Sequence, residues 1–175
     1  MVTPDSPAPT RLAAVCTGNI CRSPMAEAVL ADLVERDDLL RGRLVVSSAG
    51  TARWHLGESM DPRARRALDQ AGLRRAGSPA AYADAAYLDA QDVVLVMTRE
   101  HHREVLTRRT RTEGRVILLR DLIDEPGLDL ADPYYGRDDD FDECLAVIRR
   151  AGQRLTAELR RPPGAGSSAA GSPAA

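Results

Sequence analysis

The chain has 175 residues, a net charge of −2 and a hydrophobic content of 43%. That length suits one domain with a full core, and the near-balanced charge makes no general case for nucleic acid as a partner. No apolar run approaches the length of a membrane span, so no membrane association is expected. Aromatic content is only 3%, so Leu, Val, Ile and Ala must build the core. All 24 basic residues are arginine, which with the abundant alanine suggests a GC-rich bacterial genome. Three cysteines are an odd count with no secreted disulfide framework. Met1 to Thr10 lacks the basic and apolar parts of a signal peptide. A cytoplasmic, reducing location is expected.

Residues 1–10, rich in Pro, Ser and Thr, are expected to be a disordered extension. The folded domain is expected over residues 11–161. A short apolar run, Leu12 to Val15, predicts the first strand. It leads into Cys16-Thr17-Gly18-Asn19-Ile20-Cys21-Arg22-Ser23-Pro24, read as a tight loop and a helix start. Gly18 relaxes the steric limits on a curled loop, and Asn19 tolerates left-handed backbone angles. Ser23 suits an N-cap and Pro24 the first helical position. The amides of Thr17 to Arg22 then form a nest of donors at the positive end of a helix dipole, a site for a tetrahedral oxyanion. Arg22 adds a planar, permanent positive charge.

Cys16 lies at the bottom of this nest, where a helix N-terminus and an arginine favour a thiolate. It therefore reads as a nucleophile aimed at a bound phosphorus, with the Ser23 hydroxyl able to donate to its sulfur. Two plainer readings compete. A cysteine at a strand end is often only a small buried hydrophobe. Cys16 and Cys21 as metal ligands would need Cys144 and histidines in a spacing that resembles no zinc pattern, so no metal is expected. The segment also lacks the lysine of a nucleotide-binding P-loop.

The helix after the loop is expected to run to about Arg36. Leu44 to Val46 predicts a second strand, ending in a loop over Ser47-Ser48-Ala49-Gly50. Trp54, the only tryptophan, and His55 fall in a further loop; the histidine reads as solvated. Asp61-Pro62 opens a helix to about Ala71, with Arg63, Arg65 and Arg66 on a solvated face. Val93 to Met97 is a continuous apolar run, read as a buried central strand. Thr98 to about Thr110 predicts a helix with His101 and His102 on its surface. Val116 to Leu119 predicts a fourth strand. Asp121 to Asp142 is a long acidic loop, a kind that is usually functional. It holds Asp132-Pro133-Tyr134-Tyr135-Gly136. Phe141 to about Leu159 predicts the last helix, with Cys144 in the core. Residues 162–175 hold only Pro, Gly, Ala and Ser and are expected to be a disordered tail. Strands alternating with helices call for one α/β domain: a four-stranded parallel, doubly wound sheet with helices on both faces. Ligands bind beyond the carboxyl ends of such strands, where Cys16 falls.

The Cys16–Pro24 loop near one end and the Asp132-Pro133 motif near the other resemble the low-molecular-weight protein tyrosine phosphatases, over about residues 11–160. The resemblance implies phosphotyrosine hydrolysis through a phosphocysteine on Cys16, without a cofactor. It makes Arg22 and Ser23 catalytic partners, and Asp132 the general acid and base. Thr17, Gly18, Asn19, Ile20 and Cys21 would line the phosphate. Trp54, Tyr134 and Tyr135 would wall an aromatic cleft, and Ser48 would support Asn19. The implied partners are phosphotyrosine proteins and a cognate tyrosine kinase. The chain departs from the family where many members carry a histidine that supports the loop asparagine: Ser78-Pro79-Ala80-Ala81-Tyr82-Ala83 stands there instead.

Related activities compete. A bacterial branch that acts on phosphoarginine carries threonine where this chain has Ile20, which favours phosphotyrosine here. Thiol-dependent arsenate reductases of the same fold use extra cysteines, and only Cys144 lies outside the loop. A non-catalytic phosphoprotein-binding module would be expected to have lost Cys16 or Asp132.

Overall fold

The computed structural model describes residues 8–73 and 77–160. The expected terminal extensions fall outside these residues except for positions 8–10. Four parallel strands, β1 (Thr10–Cys16), β2 (Leu44–Gly50), β3 (Val93–Val96) and β4 (Arg115–Leu118), form one sheet in the order β2-β1-β3-β4. The connecting helices are α1 (Arg22–Glu35), α2 (Pro62–Gln70), α3 (Ala85–Asp89), α4 (Arg99–Arg108) and α5 (Asp138–Leu159).

The central strands are buried on both faces from Leu12 to Cys16 and from Val93 to Val96, so these stretches are apolar throughout and their alternate residues feed two cores. Leu12, Ala14, Cys16, Val93, Leu95 and Met97 pack with α1, α2 and α5. Val15, Val94 and Val96 pack with Leu88 of α3 and Val105 of α4. The first core is the larger and contains the fully buried Phe141, Met25, Leu30, Ile148 and Leu155. Removing the Phe141 ring would cost about 3–5 kcal/mol by cavity formation.

The chain leaves β1 toward β2 on one side, then crosses to β3 on the other. The strand order therefore reverses between β1 and β3, and a crevice opens at their carboxyl ends. Cys16, the last residue of β1, stands at that point, in register with Gly50 of β2.

Several boundaries differ from the sequence reading. Ser47 to Gly50 continues β2 because each residue keeps its partner on β1, from Ala13 to Cys16. The segment from Asp121 to Asp142 is not one loop. It opens within a 3₁₀ turn, Leu119–Ile123, contains a second, Pro133–Tyr135, and already belongs to α5 from Asp138. The early start of α5 has a local cause: the Asp140 carboxylate accepts the Arg137 amide at 2.5 Å, and three acidic residues face the helix N-terminus. The short α3, capped by Asp84, had no apolar period long enough to announce it.

Candidate active site

The loop from Cys16 to Arg22 is held by its carbonyls. The Cys16 and Thr17 carbonyls accept the Thr51 and Ala52 amides at 2.8 and 2.9 Å, and the Ile20 carbonyl accepts the Asp61 amide at 2.9 Å. Because each peptide unit is planar and trans, engaging these carbonyls turns the Thr17, Gly18 and Cys21 amides away from the segments that hold the loop. Among the described residues, the Thr17 to Cys21 amides donate to no other backbone carbonyl. Asn19 takes the left-handed conformation, φ 57°, that the curl requires. Two glycines permit close packing around it. A Cβ on Gly50 would lie 2.5 Å from the Thr17 carbonyl oxygen, and one on Gly18 would lie 2.9 Å from the His55 ring.

Ser23 is not the N-cap. α1 begins two residues earlier than that cap implies, at Arg22, with Cys21 at the cap position and no side-chain cap. The Ser23 hydroxyl instead lies 3.0 Å from Cys16 Sγ. A chain of hydrogen bonds sets its direction. Glu27 accepts the Ser48 hydroxyl at 2.5 Å, and the Ser48 oxygen accepts Asn19 Nδ2 at 2.9 Å. Asn19 Oδ1 accepts the Ala81 amide at 2.8 Å, which fixes which end of the side chain carries the donors. The second Nδ2 proton goes to Ser23 Oγ at 2.8 Å. Ser23 therefore keeps its own proton for Cys16 Sγ, with the Ala49 carbonyl at 3.3 Å as the competing acceptor. The segment without the family histidine thus still braces Asn19, through the backbone amide of Ala81. Ser78 donates to Glu27 at 3.3 Å.

Arg22 is buried beneath the hollow. Its Nη1 donates to the Leu130 carbonyl at 3.1 Å, and its Nη2 reaches Asp132 Oδ2 at 2.5 Å and Thr17 Oγ1 at 3.4 Å. Its Nε is buried without a partner among the described residues. Asp132 also caps the short turn that follows it, accepting the Tyr134 amide at 3.2 Å.

Cys16, Thr17, Gly18, Ile20, Cys21, Arg22, Trp54, His55, Asp132, Tyr134 and Tyr135 line one cavity of about 300 Å³. Trp54 and Tyr135 are 77% and 92% exposed, so large aromatic surfaces flank its mouth. Tyr134 and Tyr135 meet edge to face with centroids 4.9 Å apart. Burial, with the Asp61 and Asp132 carboxylates nearby, pushes the Cys21 thiol well above its ordinary range. Cys144 is buried in α5, and burial pushes its thiol up to about 12.

Four residues that the sequence reading left aside belong to this site or its frame. His55 is not a solvated loop residue: it packs over Gly18, pairs with Glu58 at 2.8 Å and lies 6.1 Å from the Tyr134 ring. His101 is not on the surface: it is 3% exposed, and its Nε2 lies 2.9 Å from Thr17 Oγ1. Arg63 is not merely solvated. It pairs with Asp61 at 2.9 Å and donates to the Tyr134 and Gly136 carbonyls at 2.9 and 3.2 Å, tying α2 to the Asp132 turn. Glu27 ends the Asn19 network. Only the third had a sequence signal, its closeness to the Asp61-Pro62 cap.

Residues 11–163 match the family described as Low molecular weight phosphotyrosine protein phosphatase. A low molecular weight protein-tyrosine-phosphatase of Streptomyces coelicolor is 40% identical over 156 residues, covering 86% of this chain and 93% of that protein. The crystal structure of an Entamoeba histolytica protein tyrosine phosphatase superposes with a TM-score of 0.79 at 27% identity, over 86% of this chain and 96% of that one. The YwlE arginine phosphatase, a Bacillus subtilis protein, superposes with a TM-score of 0.76 at 26% identity, over 88% of this chain and 98% of that one.

Proposed function

This chain belongs to the low-molecular-weight phosphotyrosine protein phosphatase family, and on that premise we propose that it hydrolyses phosphotyrosine in proteins through a phosphocysteine on Cys16. The observation that carries the reading is that Cys16, Arg22 and Asp132 line one cavity, with the buried Ser23 hydroxyl 3.0 Å from the Cys16 sulfur.

In the first step Cys16 Sγ attacks phosphorus in line as the bond to the tyrosine oxygen breaks. The loop amides and the Arg22 guanidinium stabilise the equatorial oxygens, supplying the positive field that a metal ion supplies in other phosphatases. Asp132 gives its proton to the departing phenolate. In the second step it takes a proton from water as water attacks the phosphocysteine. Ser23, donating to the sulfur, makes it a better leaving group there. Thr17, Gly18, Asn19, Ile20 and Cys21 shape the phosphate hollow, and Ser48 holds Asn19 in it.

Trp54, Tyr134 and Tyr135 form walls for the aromatic ring. A cleft walled by these rings favours phosphotyrosine over the shorter phosphoserine in this reading. The partners in this reading are phosphotyrosine proteins and the tyrosine kinase that supplies them, in a cytoplasmic setting. Among the described residues no helix is long and apolar enough to cross a membrane.

The likeness to an arginine phosphatase carries a second reading, phosphoarginine hydrolysis, against which Ile20 stands. Phosphotyrosine, phosphoserine and phosphoarginine peptides, offered with EDTA, decide between them. Turnover of the phosphotyrosine peptide alone is expected, and Cys16→Ser should abolish it. Faster release from phosphoarginine would overturn the phosphotyrosine reading.

A further inference from the structure

His101 sits in the first turn of α4, across the crevice from the Cys16 loop, and each of its ring nitrogens faces one threonine hydroxyl. Nε2 lies 2.9 Å from Thr17 Oγ1, and Nδ1 lies 2.9 Å from Thr98 Oγ1. Thr98 also caps α4, its oxygen accepting the His101 amide at 3.2 Å. Thr17 Oγ1 is approached by Arg22 Nη2 as well, at 3.4 Å. Resting on the phosphatase reading above, we propose that His101 is a positioning residue that holds the Thr17 hydroxyl as an additional donor to the bound phosphoryl group.

The argument is a count of protons. In one tautomer the Thr98 hydroxyl donates to a bare Nδ1 and Nε2–H donates to Thr17 Oγ1. The Thr17 oxygen then accepts from His101 and Arg22, and its own proton is left for the cavity that Thr17 lines. In the other tautomer Nδ1–H donates to Thr98, whose own proton is left without this acceptor. The Thr17 proton is then consumed by Nε2, and Thr17 offers a phosphate only lone pairs. The first arrangement pairs every proton when an oxyanion is bound; the second does not. Burial, reinforced by the Arg22 guanidinium, holds the His101 ring at about 4, so near neutral pH it carries the single ring proton that the argument needs.

Two measurements on the full chain test this. Nitrogen NMR of the His101 ring should show Nε2 protonated and Nδ1 bare; the reverse tautomer overturns the proposal. Calorimetric binding of inorganic phosphate should then weaken about ten- to a hundredfold in Thr17→Val, the range for a hydrogen bond to a charged group. His101→Leu should weaken it similarly, and the double variant no further. His101→Gln, which keeps a donor, and Thr17→Ser, which keeps the hydroxyl, should retain more affinity than their apolar counterparts. Losses that add in the double variant would mean His101 acts elsewhere, and unchanged affinity in Thr17→Val would mean the hydroxyl makes no such bond. Should His101→Leu fail to fold, the glutamine and serine variants still decide. Phosphate binding needs no turnover. A wild-type chain that binds phosphate but leaves phosphotyrosine intact therefore refutes the proposed function and not this assignment.

Discussion

Asp132→Asn separates proton delivery from loop placement. Asparagine keeps an oxygen to cap the Tyr134 amide, which Asp132 accepts at 3.2 Å, but it has no acidic proton to give. It also loses the charged contact to Arg22, 2.5 Å in a pair whose aspartate is 40% exposed. With Arg22 only 5% exposed the pair is half open to solvent, and because Arg22 keeps the Leu130 carbonyl its loss costs on the order of 1 kcal/mol, so a displaced turn would slow every substrate by about fivefold. The lost proton weighs far more where the leaving group needs it. A tyrosine phenol has a pKa of about 10. General acid catalysis supplies about 10²–10⁴-fold, or about 3–5 kcal/mol of barrier. Single-turnover phosphorylation of Cys16 isolates the step in which the proton is delivered. With a phosphotyrosine peptide the variant should lose about a hundredfold or more. With an electron-poor aryl phosphate, whose phenolate departs unaided, it should lose only the few-fold of the displaced turn. Equal losses with both substrates would refute the acid role and leave Asp132 as a cap for its turn.

Three further outcomes are expected. Ser23→Ala removes the hydroxyl 3.0 Å from Cys16 Sγ, so phosphocysteine hydrolysis should slow by about ten- to a hundredfold. Rapid-quench kinetics should show a burst of phenol followed by slow turnover, and a linear trace at the wild-type rate would contradict it. Peroxide should oxidise Cys16 to a sulfenic acid, whose sulfur the Cys21 thiol then attacks with loss of the hydroxyl as water, giving a reversible Cys16–Cys21 disulfide. Mass spectrometry should find that linked peptide, and sulfinic acid on Cys16 with Cys21 untouched would exclude it. His101, held at about 4 against an ordinary 6.5, takes up a proton more readily in the unfolded chain. Its contribution is complete above pH 6.5 and is lost as the pH falls through 4, about 3 kcal/mol in all. Urea unfolding between pH 7 and 4 should therefore show a flatter stability slope in His101→Leu, and parallel slopes would contradict the buried, neutral ring.

The strands and the main helices were legible because their signals are local. Val93 to Val96 is apolar at every position since both faces of β3 are covered, and the Cys16 loop carries its glycine, its left-handed asparagine and its helix start in consecutive residues. Asp132 and its two tyrosines stand out by the length and acidity of their segment. What the sequence by itself determined is therefore the set of groups: a thiol, a guanidinium and a carboxylic acid, each in a local setting that names its chemistry. The partners that orient them were decided by the tertiary structure. His101 reads as polar helix surface until the β1–β3 crevice brings α4 within 2.9 Å of Thr17. The replacement for the missing histidine is a backbone amide, Ala81, 62 positions from Asn19, and an amide has no side chain by which a sequence could announce it. Glu27 and Arg63 look like ordinary helix charges and become struts only because α1 and α2 pack beside the loop. Hydrogen bonds across such distances depend on where elements meet, and that is set by the burial of apolar faces throughout the sheet rather than by the residues that form the bonds.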